Sequence, residues 1–370
     1  MIDDLRDRLA RAQRATGEAG IDAILVSPGP DLRYLTGYDA KPLERLTCLV
    51  VPADGDPSLV VPRLERPAAL ASPVGGLDLA VIPWDETDDP YALAATRIPS
   101  GATVVAVDNH MWAEKVLAFR TAMAAVEQRL ANPVIGPLRL RKTADEVAEL
   151  RRAGAAIDSV HANMSEWLRP GRTELEVGND IADAIVAAGH AQTDFVIVGS
   201  GPNAASPHHE LSDRVIQPGE PVVVDIGGSL ASGYCSDSTR TYIAGGEPPE
   251  DFVAYYAVLQ SAQATQCDHV RPGVSAESVD AIGRTIIEEA GYGDAFFHRT
   301  GHGIGLETHE EPYIVVGNTL TLETGMAFSV EPGIYLDGRH GARIEDIVVV
   351  TDEGVERLNN SRRDLTILPG

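Results

Sequence analysis

Cysteine is scarce: Cys48, Cys235 and Cys267 are the only three in 370 residues. They are too far apart and odd in number for a disulfide framework, and the absence of any CxxC pair removes thiolate zinc sites. Basic residues are also short, with Lys+Arg 30 against Asp+Glu 55 and a formal charge of −25. Such a surface repels nucleic acid and anionic membranes, so neither is an expected partner. No apolar run is long enough to span a bilayer, and the start Met1-Ile2-Asp3-Asp4 lacks a basic region followed by an apolar core. The expected address is the cytoplasm. Neither GxGxxG nor GxxxxGKS/T occurs, which excludes a phosphate-cradling loop, and there is no HExxH.

What is present reads as a soluble globular chain, 44% hydrophobic and 23% charged, long enough for two domains. Leu5, Leu9 and Ala12 recur at helical spacing before Gly17 and Gly20. Residues 21–26, 46–51, 58–61 and 104–107 have the apolar runs of buried strands, which makes the first part an α/β domain. Asn132-Pro133-Val134-Ile135-Gly136-Pro137 predicts a linker, because two prolines and a glycine fall within six residues. Thr143 and Glu146 then form a capping-box signature that opens a helix running towards Trp167. The expected domains are 1–137 and 138–370.

The second domain contains an internal repeat. Arg169-Pro170-Gly171 and Arg271-Pro272-Gly273 lie 102 positions apart, each followed by a hydroxyl cap (Thr173, Ser275), an apolar-periodic helix and a glycine (Gly189, Gly291). Gly199-Ser200-Gly201 and Gly301-His302-Gly303 match at the same offset. Two strands follow with the same lead-in, each having an acid six residues after a glycine: Gly219 to Asp225, and Gly325 to Glu331. Several matches in one order predict a duplicated unit with an approximate two-fold axis.

Each half supplies a second acid, Asp237 or Glu345, on a following strand. Neighbouring antiparallel strands would bring each pair to about 5 Å at Cβ. Asp225 and Glu331 end apolar runs and should face inward. Several carboxylates in one low-dielectric site cannot all ionise without added positive charge, and two divalent cations balance four of them. A single acid at a strand end is usually only solvated; the duplicated placement is what favours a site. His302, set in Gly301-His302-Gly303-Ile304-Gly305, would add one imidazole, although taken alone it could be a packed core histidine. An oxygen-rich set with one imidazole suits Mn²⁺, Co²⁺ or Zn²⁺.

These residues resemble the creatinase and aminopeptidase family (M24) in its proline-peptidase branch. The matching stretches are Asp225-Ile226-Gly227, residues 233–241, His298 to Leu306, Thr308 to Pro312, Ser329 to Gly333 and Ala342 to Asp346. The resemblance implies an α+β "pita-bread" catalytic fold with pseudo-two-fold symmetry, preceded by a smaller α/β creatinase-type domain. It implies Asp225, Asp237, His302, Glu331 and Glu345 as ligands of two divalent ions, Mn²⁺ foremost. Glu331 would also move protons, His208 and His309 would steady the reacting amide, and Arg343 would orient acids or the intermediate. His298 and Tyr234 would belong to the substrate pocket, whereas His209 should be solvated. One departure is visible: the interval between Asp225 and Asp237 is one residue longer than usual. If the extra residue sits in the hairpin tip it is harmless, whereas inside the strand it would turn Asp237 away.

The family resemblance also implies a small peptide substrate with proline after the scissile bond, and a homodimer. An Xaa-Pro dipeptidase is the expected activity, with Xaa-Pro aminopeptidase as the alternative. A metal-free creatinase-like hydrolase or a non-catalytic homologue would have lost ligands that are all present here. A dipeptidase needs a cation for the free proline carboxylate. Prolidases often carry an arginine just after the His-Glu-x-Pro motif, where this chain has Tyr313. Arg45, in the polar loop 41–45 of the first domain, is the candidate to supply that charge.

Overall fold

The computed structural model describes residues 2–370. The chain divides into two compact units, Met1–Arg139 and Leu140–Gly370. Among the described residues no helix is long and apolar enough to cross a membrane.

The first unit is built on a six-stranded mixed sheet. Its strands are β1 (Ala23–Val26), β2 (Cys48–Pro52), β3 (Ser58–Pro62), β4 (Ala80–Trp84), β5 (Val104–Val107) and β6 (Glu127–Leu130), in the order β4-β3-β2-β1-β5-β6. The four expected strands are the four central ones, each buried along its whole length. The two unexpected strands lie at the edges, where Glu127-Gln128-Arg129-Leu130 shows no apolar run because solvent covers it. Helix Ile2–Glu18 buries Leu5, Leu9 and Ala12, at the spacing read from the sequence.

The expected linker is not a linker. Asn132–Leu140 is a helix with Pro137 inside it, and the expected 137/138 boundary falls within it. Pro133 occupies its first turn, where a missing N–H costs nothing, so a signal for irregular chain also fits a helix start.

In the second unit, β7 (Gln192–Ser200), β8 (Pro221–Ser229), β9 (Cys235–Ala244) and β17 (Thr366–Leu368) form a sheet ordered β17-β9-β8-β7. A second sheet is ordered β11-β10-β12-β15-β16, from β10 (Gly301–Gly303), β11 (Glu310–Ile314), β12 (Ala327–Val330), β15 (Asp346–Thr351) and β16 (Gly354–Arg357). Strands β13 (Gly333–Leu336) and β14 (His340–Arg343) make a separate hairpin between β12 and β15.

The repeat read from the sequence is a repeat of structure. Gly171 and Gly273 both take left-handed φ, 87° and 91°, and donate their N–H groups to Ile216 and Leu322, each at 2.9 Å. The lead-in glycines Gly219 and Gly325 match as well, at φ 81° and 89°. Thr143 caps helix Ala144–Ala162 and Glu146 returns its carboxylate to the Thr143 N–H, a capping box worth about 1 kcal/mol.

Packing explains which way the acids point. Val222, Val224 and Ile226 of β8 bury against Ile157, Val177, Ile181 and Ile185 of the covering helices. Phe328 and Val330 of β12 bury in the same way against Cys267, Ala276 and Val279. Side chains alternate along a strand, so Asp225 and Glu331 must project from the opposite faces, away from the helices.

Candidate metal centre and active site

Strands β8 and β9 pair without a bulge from Pro221↔Ile243 to Ser229↔Cys235. The extra residue between the two aspartates therefore lies in the tip, 230–234, and Asp237 keeps its face. Asp225 opposes Thr239 and Asp237 opposes Gly227, so the aspartates meet diagonally rather than head-on. In the other half Val330 opposes Asp346, which sets Glu331 beside Glu345 just past the strand ends.

The five expected donors converge. One oxygen or nitrogen from each of Asp225, Asp237 and Glu345 lies within 4.8 Å of the others, as do those of His302, Glu331 and Glu345. His302 Nε2 is 3.2 Å from Glu331 Oε1 and 3.6 Å from Asp237 Oδ2. Its Nδ1 is 3.1 Å from the Gly303 carbonyl and can donate to it, so Nε2, the nitrogen that meets Glu331, is the one placed to bind a metal. Asp225 Oδ1 and Glu345 Oε1 are buried without any hydrogen-bond partner. Orphaned carboxylate oxygens of this kind are costly unless a cation satisfies them. The donor set fits divalent ions.

Electrostatics agrees. Asp237 is pushed well above the usual carboxylate range by burial and then by the charges of Glu345, Asp225 and Glu331. Glu345 rises for the same reasons: burial, then Glu331 and Asp225. Burial also works to raise Glu331, but hydrogen bonding to His302 and the positive charge around it bring that residue down to about 2. Arg343 is the permanent cation here, and it is fully engaged. Its guanidinium meets Asp225 Oδ2 at 2.5 Å, the Tyr335 hydroxyl at 2.8 Å and Thr239 Oγ1 at 3.1 Å.

All five donors open into one cavity of about 910 Å³, lined also by His208, His298, Arg299, His309, Phe195 and Phe297. The His309 ring stands edge-on to His302 with centroids 4.0 Å apart. It lies on the exposed rim, yet partial burial, then the charges of His302 and Arg299, pull its pKa down to about 4, so it is neutral at pH 7. His298 is bridged to Arg343 by Tyr335: Arg343 donates to the phenol oxygen, and the phenol donates to His298 Nε2 at 3.0 Å. Burial pushes the Tyr335 hydroxyl up to about 12, which keeps it a donor.

Residues 148–352, more than half of the chain, match the model of metallopeptidase family M24. The chain belongs to metallopeptidase family M24. Residues 8–141 match the creatinase/prolidase N-terminal domain. A Mycobacterium tuberculosis chain named "probable dipeptidase PepE" is 51% identical over 98% of this chain and 96% of its own length. An Xaa-Pro dipeptidase from Lactobacillus delbrueckii subsp. lactis is 37% identical over 98% and 99%. Dipeptidase PepE from Mycobacterium ulcerans superposes with a TM-score of 0.95 at 51% identity, covering 100% of this chain and 99% of that one. The protein is an M24 metallo-hydrolase of the α+β pita-bread class behind a creatinase-type domain, and the family's chemistry uses divalent metal ions.

Within the M24 unit Tyr234 and His209 stand elsewhere than expected. Tyr234 does not line the cavity; its hydroxyl donates to Glu146 at 2.7 Å and its ring packs with Leu150 and Ile304, because it sits in the tip beyond the paired strands. His209 is not simply solvated, since its Nε2 meets the buried Glu174 carboxylate at 2.7 Å. Arg45 lies in the first unit, where Glu86 and Glu44 both hold its guanidinium at 2.7 Å. The sequence reading missed the cavity wall Phe195 and Ile197. Alternation could have found it, since Val196 and Val198 pack towards the helices and turn the intervening residues inward. Tyr335 and Arg299 gave no comparable signal.

Proposed function

We propose that this protein is an Xaa-Pro dipeptidase, with two divalent ions held by Asp225, Asp237, His302, Glu331 and Glu345. The observation that carries the reading is the convergence of those donors, two of them with orphaned oxygens, in a cavity that also holds His208 and His309. The 51% identity to a chain named as a dipeptidase and the 37% identity to an Xaa-Pro dipeptidase support the substrate class. Mn²⁺ is the proposed ion, because oxygen donors with a single imidazole suit it.

When bound, divalent ions supply Lewis acidity that polarises the scissile carbonyl and acidifies a water. The remaining work falls to side chains. Glu331, ionised at neutral pH, takes a proton from the attacking water and returns it to the leaving imide nitrogen. His309, neutral at that pH, offers an N–H to the carbonyl oxygen as charge develops there, and His208, in the same cavity wall, steadies the amide. Arg343 fixes Asp225 and, through Tyr335, the wall residue His298. Proline offers no amide hydrogen to grip, so an apolar slot must hold its ring; Phe195, Ile197 and Phe297 form such a wall.

The test is a chelated, then Mn²⁺-reconstituted enzyme assayed on Leu-Pro, Leu-Ala and Leu-Pro-Gly with metal content measured in parallel. The expected result is about two ions per chain and turnover of Leu-Pro well above the other two. A protein that takes up no Mn²⁺, or that cleaves none of the three, ends the reading.

A further inference from the structure

Arg299 lines the catalytic cavity, and among the described residues its guanidinium has no carboxylate partner. It lies over the Tyr313 ring instead, with the guanidinium carbon 4.4 Å from the ring centre. That is unusual company in a chain with 55 acids and 30 bases. The cavity's other arginine, Arg343, is consumed by Asp225, Tyr335 and Thr239. Nearby Lys142 is spent on Glu310 at 2.6 Å.

The platform is rigid. The Thr300 N–H donates to Ile314 at 2.9 Å, which sets Arg299 alongside Tyr313. Thr300 is also held by the buried Asp280 carboxylate, and Asn318 donates to the Tyr313 carbonyl at 2.6 Å. A guanidinium placed over an aromatic ring, with no carboxylate beside it, retains N–H donors that match the two oxygens of a carboxylate. Substrate carboxylates would otherwise be repelled by a site built of acids.

We propose that Arg299, braced by Tyr313, receives the free C-terminal carboxylate of the substrate and so makes the enzyme select dipeptides. The proposal rests on the peptidase reading above and assigns the cation that position 313 does not provide.

The experiment compares Leu-Pro with Leu-Pro-amide in the Mn²⁺-loaded enzyme, and measures binding of the same pair to metal-free protein by calorimetry. Wild type should prefer the acid over the amide by about tenfold or more in kcat/KM, chiefly through KM. Arg299→Ala should bring that ratio to within about twofold, Arg299→Lys should recover part of it, and Tyr313→Phe should preserve it where Tyr313→Ala does not. If Arg299→Ala lowers acid and amide equally, or neither, the proposal is wrong while the peptidase reading stands. If the loss appears with Asp-Pro but not with Leu-Pro, Arg299 reads the side chain before proline and the proposal is likewise overturned. If wild type cleaves neither compound the peptidase reading fails, and the binding contrast still decides the role of Arg299.

Discussion

Glu174 is a fully buried carboxylate that holds a whole segment in place. It sits in the first turn of helix Glu174–Ala187 and accepts from Ser200 N and Oγ at 2.7 Å, Asn203 Nδ2, His209 Nε2 and Ser212 Oγ. These donors flank His208, so Glu174 is a positioning residue for a side chain that reaches the cavity. Burial alone would raise its pKa; hydrogen bonds from Ser212, Ser200 and His209 outweigh burial and leave it below its ordinary 4.5. A carboxyl depressed in the folded state contributes stability above its unfolded pKa and loses it as pH falls through the folded one. Glu174→Gln should therefore cost about 3 kcal/mol at pH 7, with a smaller gap from wild type near pH 3, in denaturant titrations. It should also lower kcat more than it changes Mn²⁺ affinity, since no metal donor is touched. Equal thermal midpoints at pH 7 would show that the network carries no stability. None of this was legible beforehand, because an acid at a helix start reads as an ordinary cap and its partners come from the end of β7 and the segment after it, 26–38 residues away.

At the scale of elements, the site depends on strands approaching where no side chain fits. A Cβ on Gly301 would fall inside the Ser329 carbonyl of the neighbouring strand, one residue before His302. Gly301→Ala must push β10 from β12 and widen the 3.2 Å approach of His302 to Glu331. Overpacking of this kind costs about 1–3 kcal/mol. The expected outcome is a thermal midpoint lower by several degrees and at least tenfold weaker Mn²⁺ binding by calorimetry. Gly338→Ala, in the open tip of the β13–β14 hairpin, should cost backbone strain without weakening metal binding. Metal affinity equal in Gly301→Ala and wild type would refute the packing argument. Sequence alone carried the positions of β8 and β12, because duplication wrote the same signal twice, and of β1, β2, β3 and β5, because buried strands are continuously apolar. It failed at edge strand β6, which needs no apolar residues, and at helix Asn132–Leu140, where proline is compatible with both a linker and a helix start. It placed the acids but not the Tyr335 bridge or Arg299, since contacts between side chains distant along the chain leave no local periodicity.

For the molecule as a whole, the balance of charge sets the response to metal and pH. A chain of formal charge −25 gathers four carboxylates around one cavity, with Arg343 their shared cation. Asp237 and Glu345 are raised by burial and by their neighbours' charges, so the metal-free fold binds protons there more tightly than the unfolded chain does. The linkage has a definite sign: such groups favour folding while protonated and withdraw that support as pH climbs through their folded pKa. Divalent ions reverse the trend, because they replace the protons and neutralise the ionised acids. Mn²⁺ should therefore raise the thermal midpoint, by the equivalent of about 2.7 kcal/mol at a hundred times Kd, and the increment should grow from pH 6 to pH 8. Titration in buffers of different ionisation enthalpy should register proton release on binding. Monovalent salt at equal ionic strength should not substitute, since screening is weak for buried charges. Metal-free protein whose midpoint ignores Mn²⁺ at every pH, with no proton released, would mean that these acids are accommodated without cations.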